Sequence, residues 1–268
     1  MPVLQNCELV NLSQITWPLP PAGLTLGPDQ IHVWATPLDL LPAKLEELAS
    51  TLVPLERERA MRFHFDVHRN RFIAGRGLLR VVLSQYLKTK PGRLEFVYGA
   101  NGKPSLSDNT TATGIRFNLA HSEDLALVAV MRGRDLGVDV ERIRPIPDVE
   151  QLVARFFSTR ENAAFRALPE DQRPVAFFNL WTRKEAWLKA IGEGIASSLR
   201  LVEVSFLPGE PARLIKIEGS HEEAARWRLV DLNPAADFVA SLACQSGDTR
   251  VNCWRWPEAL IEAYFKLP

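Results

Sequence analysis

Cysteine is scarce in this chain of 268 residues, and long uninterrupted apolar segments are absent. The three cysteines, Cys7, Cys244 and Cys253, have no close paired spacing, so the sequence predicts neither a disulfide framework nor a cysteine-based zinc site. The longest apolar run, Leu125 to Met131, is far shorter than the roughly 20 residues that a membrane-spanning helix requires. The N-terminus also lacks the basic cluster and apolar core of a secretory signal, so we expect a cytoplasmic protein with no membrane partner.

A net charge of either sign is lacking too, because 32 Lys and Arg residues balance 32 Asp and Glu residues. The 46% of apolar and 24% of charged residues are typical of a globular protein with one large domain or two smaller ones. The balance argues against binding to nucleic acid through bulk charge. The distribution is uneven, however, since residues 56–93 hold ten basic and three acidic side chains and the other 230 residues hold 22 and 29.

Within this basic segment the spacing of Phe65, Phe72, Leu79 and Val82 predicts an amphipathic helix over about residues 66–87. An Arg-rich helix face is often merely solvated. Here the scarcity of interleaved acids favours an anionic ligand, and phosphate suits the planar, bidentate guanidinium group.

The predicted elements run in the order strand, short helices, long helix and strands, and this order occurs twice. We interpret the repeat as an internal duplication of an α+β unit. The predicted organisation is an irregular lead-in over residues 1–30, an N-terminal α+β half over residues 31–134 and a C-terminal α+β half over residues 135–268.

Two acids lie at the end of the strand that opens the second half. Asp139 and Glu141 are two positions apart, so their side chains leave the same face of the strand. Solvated acids at a strand end are common, but this strand is otherwise apolar and fixes the pair in place. Hard carboxylate oxygens held in this way suit Mg²⁺.

The long helix of the second half carries a polar stripe. Trp181, Glu185 and Lys189 are spaced four apart and share one face, and Lys184 is adjacent to it. Such a stripe is often only a surface ion pair. The surrounding apolar residues indicate a covered helix, in which charges need partners. Glu185 is therefore a candidate third metal ligand, and the lysines are candidates for contact with phosphate.

Other motifs are weaker or missing. His121 after an apolar strand and the turn over residues 101–104 are not diagnostic alone. The chain has no Gly-x-Ser-x-Gly elbow, P-loop, dinucleotide glycine fingerprint or His-Glu-x-x-His helix.

Taken together, several segments resemble the 4′-phosphopantetheinyl transferase superfamily, in its larger, surfactin-synthetase-activating type. They are Gly137-Val138-Asp139-Val140-Glu141, Trp181-Thr182-Arg183-Lys184-Glu185-Ala186-Trp187-Leu188-Lys189, Asn101-Gly102-Lys103-Pro104, Phe117-Asn118-Leu119-Ala120-His121-Ser122, and Arg71 to Gly75 followed by Arg80. The resemblance covers about residues 30 to 195. Two positions depart from it: Glu56 stands where relatives offer a lysine, and Ala120 replaces a serine before the histidine.

The resemblance implies an enzyme that moves the phosphopantetheine arm of coenzyme A to a serine of an apo acyl or peptidyl carrier protein and releases 3′,5′-ADP. Such carriers serve fatty-acid, polyketide or nonribosomal peptide synthesis. The implied fold is a pseudo-dimer of two similar α+β halves with coenzyme A between them. A monomer is expected, because the duplication supplies the second half.

The resemblance also implies the site residues. Asp139, Glu141 and Glu185 would hold Mg²⁺, with Mn²⁺ as an alternative. The residues expected to contact coenzyme A are Arg59, Arg71, Lys103, His121, Asp139 and Lys189. The expected catalytic residues are Glu185, as base or metal ligand, Lys184, as an orienting or protonating partner, and Lys189.

Two other classes of function compete with this interpretation. A coenzyme A or nucleotide-binding module without catalysis would not need the intact acids and lysines. A nucleic-acid-binding protein would pair its basic helix with stacking aromatic residues or a known reading motif, and neither is present.

Overall fold

The computed structural model describes residues 15–107, 113–194 and 199–257. Of the predicted lead-in, residues 15–29 form no helix or strand, whereas residues 1–14, with Cys7, lie outside the described part. No helix within the described ranges has both the length and the apolarity needed to cross a bilayer.

The N-terminal half combines an antiparallel sheet with one long helix. Its elements are β1 Gln30–Pro37, α1 Pro42–Ser50, α2 Pro54–Met61, α3 Asp66–Leu87, β2 Phe96–Tyr98, β3 Pro104–Leu106, β4 Ile115–Ser122 and β5 Leu125–Arg132. The predicted long helix is confirmed as α3, in which Ala74, Leu78 and Val82, one turn apart, are buried. It ends where Lys88 adopts a left-handed conformation, with φ of 52°.

The C-terminal half repeats this order. Its elements are β6 Leu136–Arg142, α4 Val149–Phe156, α5 Thr159–Arg166, α6 Arg173–Ile191, β7 Val202–Val204, β8 Leu214–Ile217, α7 His221–Ala225, β9 Trp227–Leu232, β10 Phe238–Gln245 and β11 Arg250–Arg255. A capping box starts α5, because the Ser158 hydroxyl accepts from Glu161 N–H and Glu161 accepts from Ser158 N–H.

The two halves share one topology. The first sheet contains the antiparallel order β1–β5–β4, and the second has the equivalent antiparallel order β6–β10–β9. A small hairpin follows the long helix in each half, β2–β3 after α3 and β7–β8 after α6. The predicted α+β fold class with two similar halves is confirmed.

One strand crosses between the halves. β11 pairs in parallel with the edge of β1, so that Gln30 lies opposite Arg250 and Ala35 opposite Arg255. The first sheet therefore has four strands, the last of which comes from the end of the described chain. The division of the chain at residue 135 stays a prediction. Strand β11 crosses it, because it follows residue 135 in the sequence but belongs to the sheet of the N-terminal half.

Three apolar cores hold the layers together. One lies between α3 and the first sheet, and another lies between α6 and the second sheet. The third joins the two sheets face to face, and Val33 of β1, Leu127 of β5, Val138 of β6 and Leu242 of β10 are fully buried in it. The order of layers is therefore helix, sheet, sheet, helix.

Candidate active site

Strand β6 directs one face to the inter-sheet core and the other to α6. Val138 and Val140 are fully buried between the sheets, whereas Gly137 and Asp139 face α6. A Cβ atom at Gly137 would lie 2.2 Å from the carbonyl oxygen of Ala186, so glycine is required for the strand and helix to approach this closely. The alternation of side chains along β6 therefore directs Asp139 toward α6, as predicted.

The face of α6 that contacts Asp139 carries the predicted polar stripe. Lys189 Nζ donates to Asp139 Oδ1 at 2.5 Å, and Glu185 lies one turn before Lys189. Burial, opposed by Lys189 and reinforced by Glu141, raises the pKa of Asp139 to about 6. Burial and then the charge of Asp139 raise the pKa of Glu185 to about 7. Burial opposes the charge of Lys189, but Asp139 and Glu185 outweigh it and raise its pKa.

Two carboxylate oxygens in this cluster have no partner. Asp139 Oδ2 and Glu185 Oε1 are buried and accept no hydrogen bond from any described residue. Buried, mutually repelling carboxylates are costly unless a cation or a proton compensates them. The donor set is hard oxygen, which fits Mg²⁺ or Mn²⁺. In the described part of the chain, however, no three acidic, histidine or cysteine side chains lie together in an arrangement that could hold a metal ion.

Glu141 lies beside this pair but is engaged elsewhere. Its Oε2 accepts from the Ser122 hydroxyl at 2.6 Å and from Arg144 at 3.4 Å. Ser122 in turn accepts from the N–H of Arg142, which ties the end of β4 to β6. The hydrogen bond between Ser122 and Glu141 was not predicted from the sequence. The only feature of the sequence that pointed to Ser122 is its position directly after His121. The three-carboxylate metal site stays a prediction, in which Asp139 and Glu185 contribute the free oxygens.

His121 and Arg71 extend the site along β4. The partly desolvated surroundings of His121, and then the charges of Lys189 and Arg71, lower its pKa, so its imidazole is neutral at pH 7. Arg71 on α3 donates to both oxygens of Asp39 at 2.7 and 2.8 Å and also to Glu123 at 3.3 Å. A phosphate that binds Arg71 must therefore displace these carboxylates or share the guanidinium group with them.

Two other arginines of the basic segment, Arg76 and Arg80, are structural. Arg80 is 1% exposed and donates to Glu56 at 2.7 Å, and Arg76 pairs with the other oxygen of Glu56 at 3.4 Å. The acid that departs from the family pattern is thus the internal counter-charge of α3. Arg59 lies over the ring of Phe72, with its guanidinium carbon 5.4 Å from the ring centroid.

The structure does not bring Lys184 to the acids. Its ammonium is completely buried, donates to Glu161 at 2.6 Å and to the carbonyl of Leu199 at 2.8 Å, and lies over the ring of Phe157. The predicted orienting or protonating role beside Glu185 is therefore corrected: Lys184 ties α6 to α5. Its place in the sequence next to Glu185 puts it on a different face of the helix.

Lys103 is also away from the acids, at the end of α6. Its Nζ donates to three backbone carbonyls, those of Leu136, Lys189 and Ala190. Burial lowers the pKa of its ammonium. The predicted contact between this side chain and the nucleotide has no free donor in this arrangement.

Both halves of the chain match models of one enzyme family. Residues 135–243 match the model of the 4′-phosphopantetheinyl transferase superfamily, and residues 40–132 match the model of the N-terminal part of 4′-phosphopantetheinyl transferases. A 4′-phosphopantetheinyl transferase, HetI of Nostoc sp. (strain PCC 7120), is 43% identical over 91% of this chain and 99% of its own length.

The chain belongs to the 4′-phosphopantetheinyl transferase superfamily. Two bacillary members are also similar: psf-1 of Bacillus pumilus, 30% identical over 81% of this chain and 95% of its own length, and Sfp of Bacillus subtilis (strain 168), 29% identical over 58% and 66%. The two matched regions of the transferase family meet near residue 134, between β5 and β6. The buried acids of β6 and α6 lie within the superfamily region.

Proposed function

We propose that this phosphopantetheinyl transferase moves the 4′-phosphopantetheine arm of coenzyme A to a serine of an apo acyl or peptidyl carrier protein and releases 3′,5′-ADP. The observation that carries the proposal is the convergence of Asp139, Glu185 and Lys189 in one buried cluster with two free carboxylate oxygens. This cluster combines oxygen ligands for a cation with a fixed ammonium, which is the combination that pyrophosphate requires.

The residues act mainly by positioning and electrostatics. Asp139 and Glu185, with Glu141 beside them, would hold Mg²⁺ or Mn²⁺. The bound ion supplies positive charge to the pyrophosphate oxygens of coenzyme A. Lys189 is oriented by Asp139 and has two further N–H donors for phosphate oxygens. The carrier serine oxygen bonds to the β-phosphorus, and its proton passes to a base. The bond from this phosphorus to the bridging pyrophosphate oxygen breaks, and the oxygen leaves as part of 3′,5′-ADP.

Glu185 has two candidate roles, metal ligand and general base. They compete, because a carboxylate bound to a metal is a poor base. The unpartnered Oε1 supports the ligand role, and the pKa of Glu185, which burial and Asp139 raise to about 7, supports the role of base.

The finer parts of the proposal follow from the same family pattern. The enzyme acts as a monomer, because the second α+β half replaces a neighbouring subunit, and it works in the cytoplasm on carriers of fatty-acid, polyketide or nonribosomal peptide synthesis. It needs neither nucleic acid nor a membrane as a partner. Arg59, Arg71 and His121 are the candidate contacts to the 3′-phosphate and nucleotide.

The direct test is transfer itself. The protein is incubated with coenzyme A, Mg²⁺ and several apo carrier proteins, and the carriers are weighed by mass spectrometry. We expect a phosphopantetheine adduct on at least one carrier and 3′,5′-ADP in solution. Failure to modify any apo acyl or peptidyl carrier would overturn the proposal.

The metal is tested separately. Transfer should stop after treatment with EDTA and return with Mg²⁺ or Mn²⁺. Independently of activity, Mg²⁺ should raise the Tm of the unmodified chain and leave that of Asp139→Asn unchanged, because the variant lacks one of the free oxygens. An equal rise in both proteins would argue against a metal at Asp139.

A further inference from the structure

The loop over residues 99–104 is shaped to reach the end of α6. Gly102 has φ of 77°, a conformation that favours glycine, and two backbone hydrogen bonds close the loop, from Gly99 N–H to Lys103 and from Gly102 N–H to Gly99. The loop belongs to the N-terminal half, between β2 and β3. Its polar side chains nevertheless bind the C-terminal half.

Lys103 and Asn101 satisfy the carbonyl groups at the end of α6. Lys103 Nζ donates to the carbonyls of Lys189 at 2.5 Å and Ala190 at 3.0 Å, and Asn101 Nδ2 donates to the carbonyl of Gly192 at 3.0 Å. The last carbonyls of a helix have no partner within it and carry the negative end of its dipole. An ammonium and an amide delivered from another part of the chain are therefore well suited to this position.

The third bond of Lys103 goes to the strand that carries the site. Its Nζ donates to the carbonyl of Leu136 on β6 at 3.3 Å. An ammonium has three N–H donors and no acceptor, so these three carbonyls use its whole capacity. No donor of Lys103 is left for a phosphate.

The bonded carbonyls belong to residues that place the active groups. Lys189 is the residue whose ammonium binds Asp139, and Leu136 precedes Asp139 by three positions on β6. Gly137, between them, is the point at which β6 touches α6. Lys103 thus bridges helix and strand beside the contact that sets the distance between Lys189 and Asp139.

We infer that Lys103, assisted by Asn101, is a positioning residue that holds α6 in register with β6, and so aligns Lys189 and Glu185 with Asp139, instead of binding the phosphates of coenzyme A. The consequence for catalysis rests on the proposed function. The hydrogen bonds by which Lys103 and Asn101 join the two halves, called the clamp below, do not depend on that function.

The test compares Lys103→Met with Lys216→Met, which removes an ammonium from β8, and with Lys103→Arg. Transfer is measured with coenzyme A and with 3′-dephospho-coenzyme A. For Lys103→Met we expect kcat to fall at least about tenfold, with KM for coenzyme A changed less than about twofold and the preference for the 3′-phosphate kept. Lys103→Arg should recover part of kcat, and Lys216→Met should behave as the unaltered chain.

Hydrogen exchange supplies a measurement without turnover. In Lys103→Met the amides of residues 187–193 should exchange at least about tenfold faster, while those of α3 stay protected. If Lys103→Met does not fold, Asn101→Ala, which loses one bond of the clamp, should show both effects in the same direction and to a smaller extent.

Three results would overturn the inference. A large rise in KM together with a lost preference for the 3′-phosphate would make Lys103 a phosphate ligand. Faster exchange with unchanged kcat would make the clamp irrelevant to catalysis, and unchanged exchange would remove the clamp. If the unaltered chain transfers nothing, the proposed function fails, and hydrogen exchange still decides the clamp.

Discussion

Lys184 and Lys189 lie on the same helix, and their ammonium groups are used differently. Lys189 reaches Asp139 and is partly open to solvent, with 29% of its side chain exposed, so it can still meet a ligand. Lys184 is fully enclosed by Glu161, Leu199 and the ring of Phe157. Residue type and neighbourhood in the sequence do not separate these two roles, whereas the face of the helix does.

Glu185→Gln tests the acid under both of its candidate roles. The amide keeps the size but cannot carry the negative charge that a metal ligand or a base needs, so we expect transfer to slow by about 100-fold or more. Stability should not fall, because the change relieves repulsion with Asp139. Mass spectrometry of the carrier gives the rate, and the exposed Glu222→Gln on α7 is the matched control. Near-normal transfer by Glu185→Gln would rule out both roles.

Lys184→Met should act on stability. Removing one partner leaves the 3% exposed Glu161 carboxylate without its counter-charge, which costs about 3–5 kcal/mol. Urea unfolding should show this loss, and adding Glu161→Gln should restore part of it. The pH profile of kcat for the folded variant should keep its shape. A changed profile with full stability would return Lys184 to a catalytic role.

The buried His32 is held in one tautomer by a chain of hydrogen bonds. The Gln30 side-chain oxygen can only accept, so His32 Nε2–H donates to it at 3.3 Å. Nδ1 of the neutral imidazole is then an acceptor and accepts from the Tyr86 hydroxyl at 2.9 Å, and this hydroxyl itself accepts from Trp34 Nε1 at 2.8 Å. Burial lowers the pKa of His32 to about 4, which keeps the imidazole neutral.

Acid should therefore destabilise the fold through His32. Between the unfolded pKa near 6.5 and the folded value of about 4, the unfolded chain binds a proton that the folded chain does not. This part of the stability is complete above pH 6.5 and is lost as the pH falls toward 4, by about 2 kcal/mol at pH 5. Urea unfolding of His32→Gln at pH 7 and pH 5 should show a smaller difference than the unaltered chain, and an equal difference would contradict the assignment.

At the scale of elements, the contact between β6 and α6 determines the site. The backbone of α6 lies against Gly137, and Asp139, two residues further along the same face, meets the helix one turn away. The two elements come from distant parts of the sequence, but a single glycine sets how near they approach. The cluster of acids depends on that separation.

Gly137→Ala should therefore impair both stability and transfer. The added Cβ would lie 2.2 Å from the carbonyl oxygen of Ala186 and 2.3 Å from the nitrogen of Ala190, both backbone atoms, so the helix has to move. We expect a loss of about 1–3 kcal/mol in chemical unfolding and a lower kcat. Gly75→Ala in α3 is the matched control, because its nearest atom would be 3.5 Å away, and it should be neutral or stabilising by about 0.5–1 kcal/mol. Similar behaviour of the two variants would contradict the close contact.

At the scale of the whole molecule, the two halves depend on each other to cover apolar surface and a strand edge. The inter-sheet core takes residues from both, and β11 covers the edge of β1. Calorimetry should therefore show one cooperative transition, and residues 1–134 and 135–268 should fold when co-expressed but not separately. Two resolved transitions, or an N-terminal half that folds alone, would contradict this.

The predictable parts of this structure are the local ones. Helical spacing placed Glu185 and Lys189 on one face of α6, and strand alternation placed Asp139 on the face of β6 that meets it. The partners of Lys103, Lys184 and Arg71 could not be predicted, because each bond joins segments far apart in the sequence. Lys103 and Ala190, for instance, are 87 residues apart. For Lys103, the family resemblance identified an important lysine, and only the three-dimensional contacts indicated what its ammonium binds.

The parallel pairing of β1 with β11 has a consequence for synthesis of the chain. Gln30 leaves the ribosome 220 residues before its neighbour Arg250. At about 5–20 residues per second, the edge of β1 waits on the order of 10–45 s for the strand that covers it. An unpaired edge strand is a site of aggregation. The nascent protein is therefore most vulnerable late in translation, after both long helices have emerged and before β11 is available.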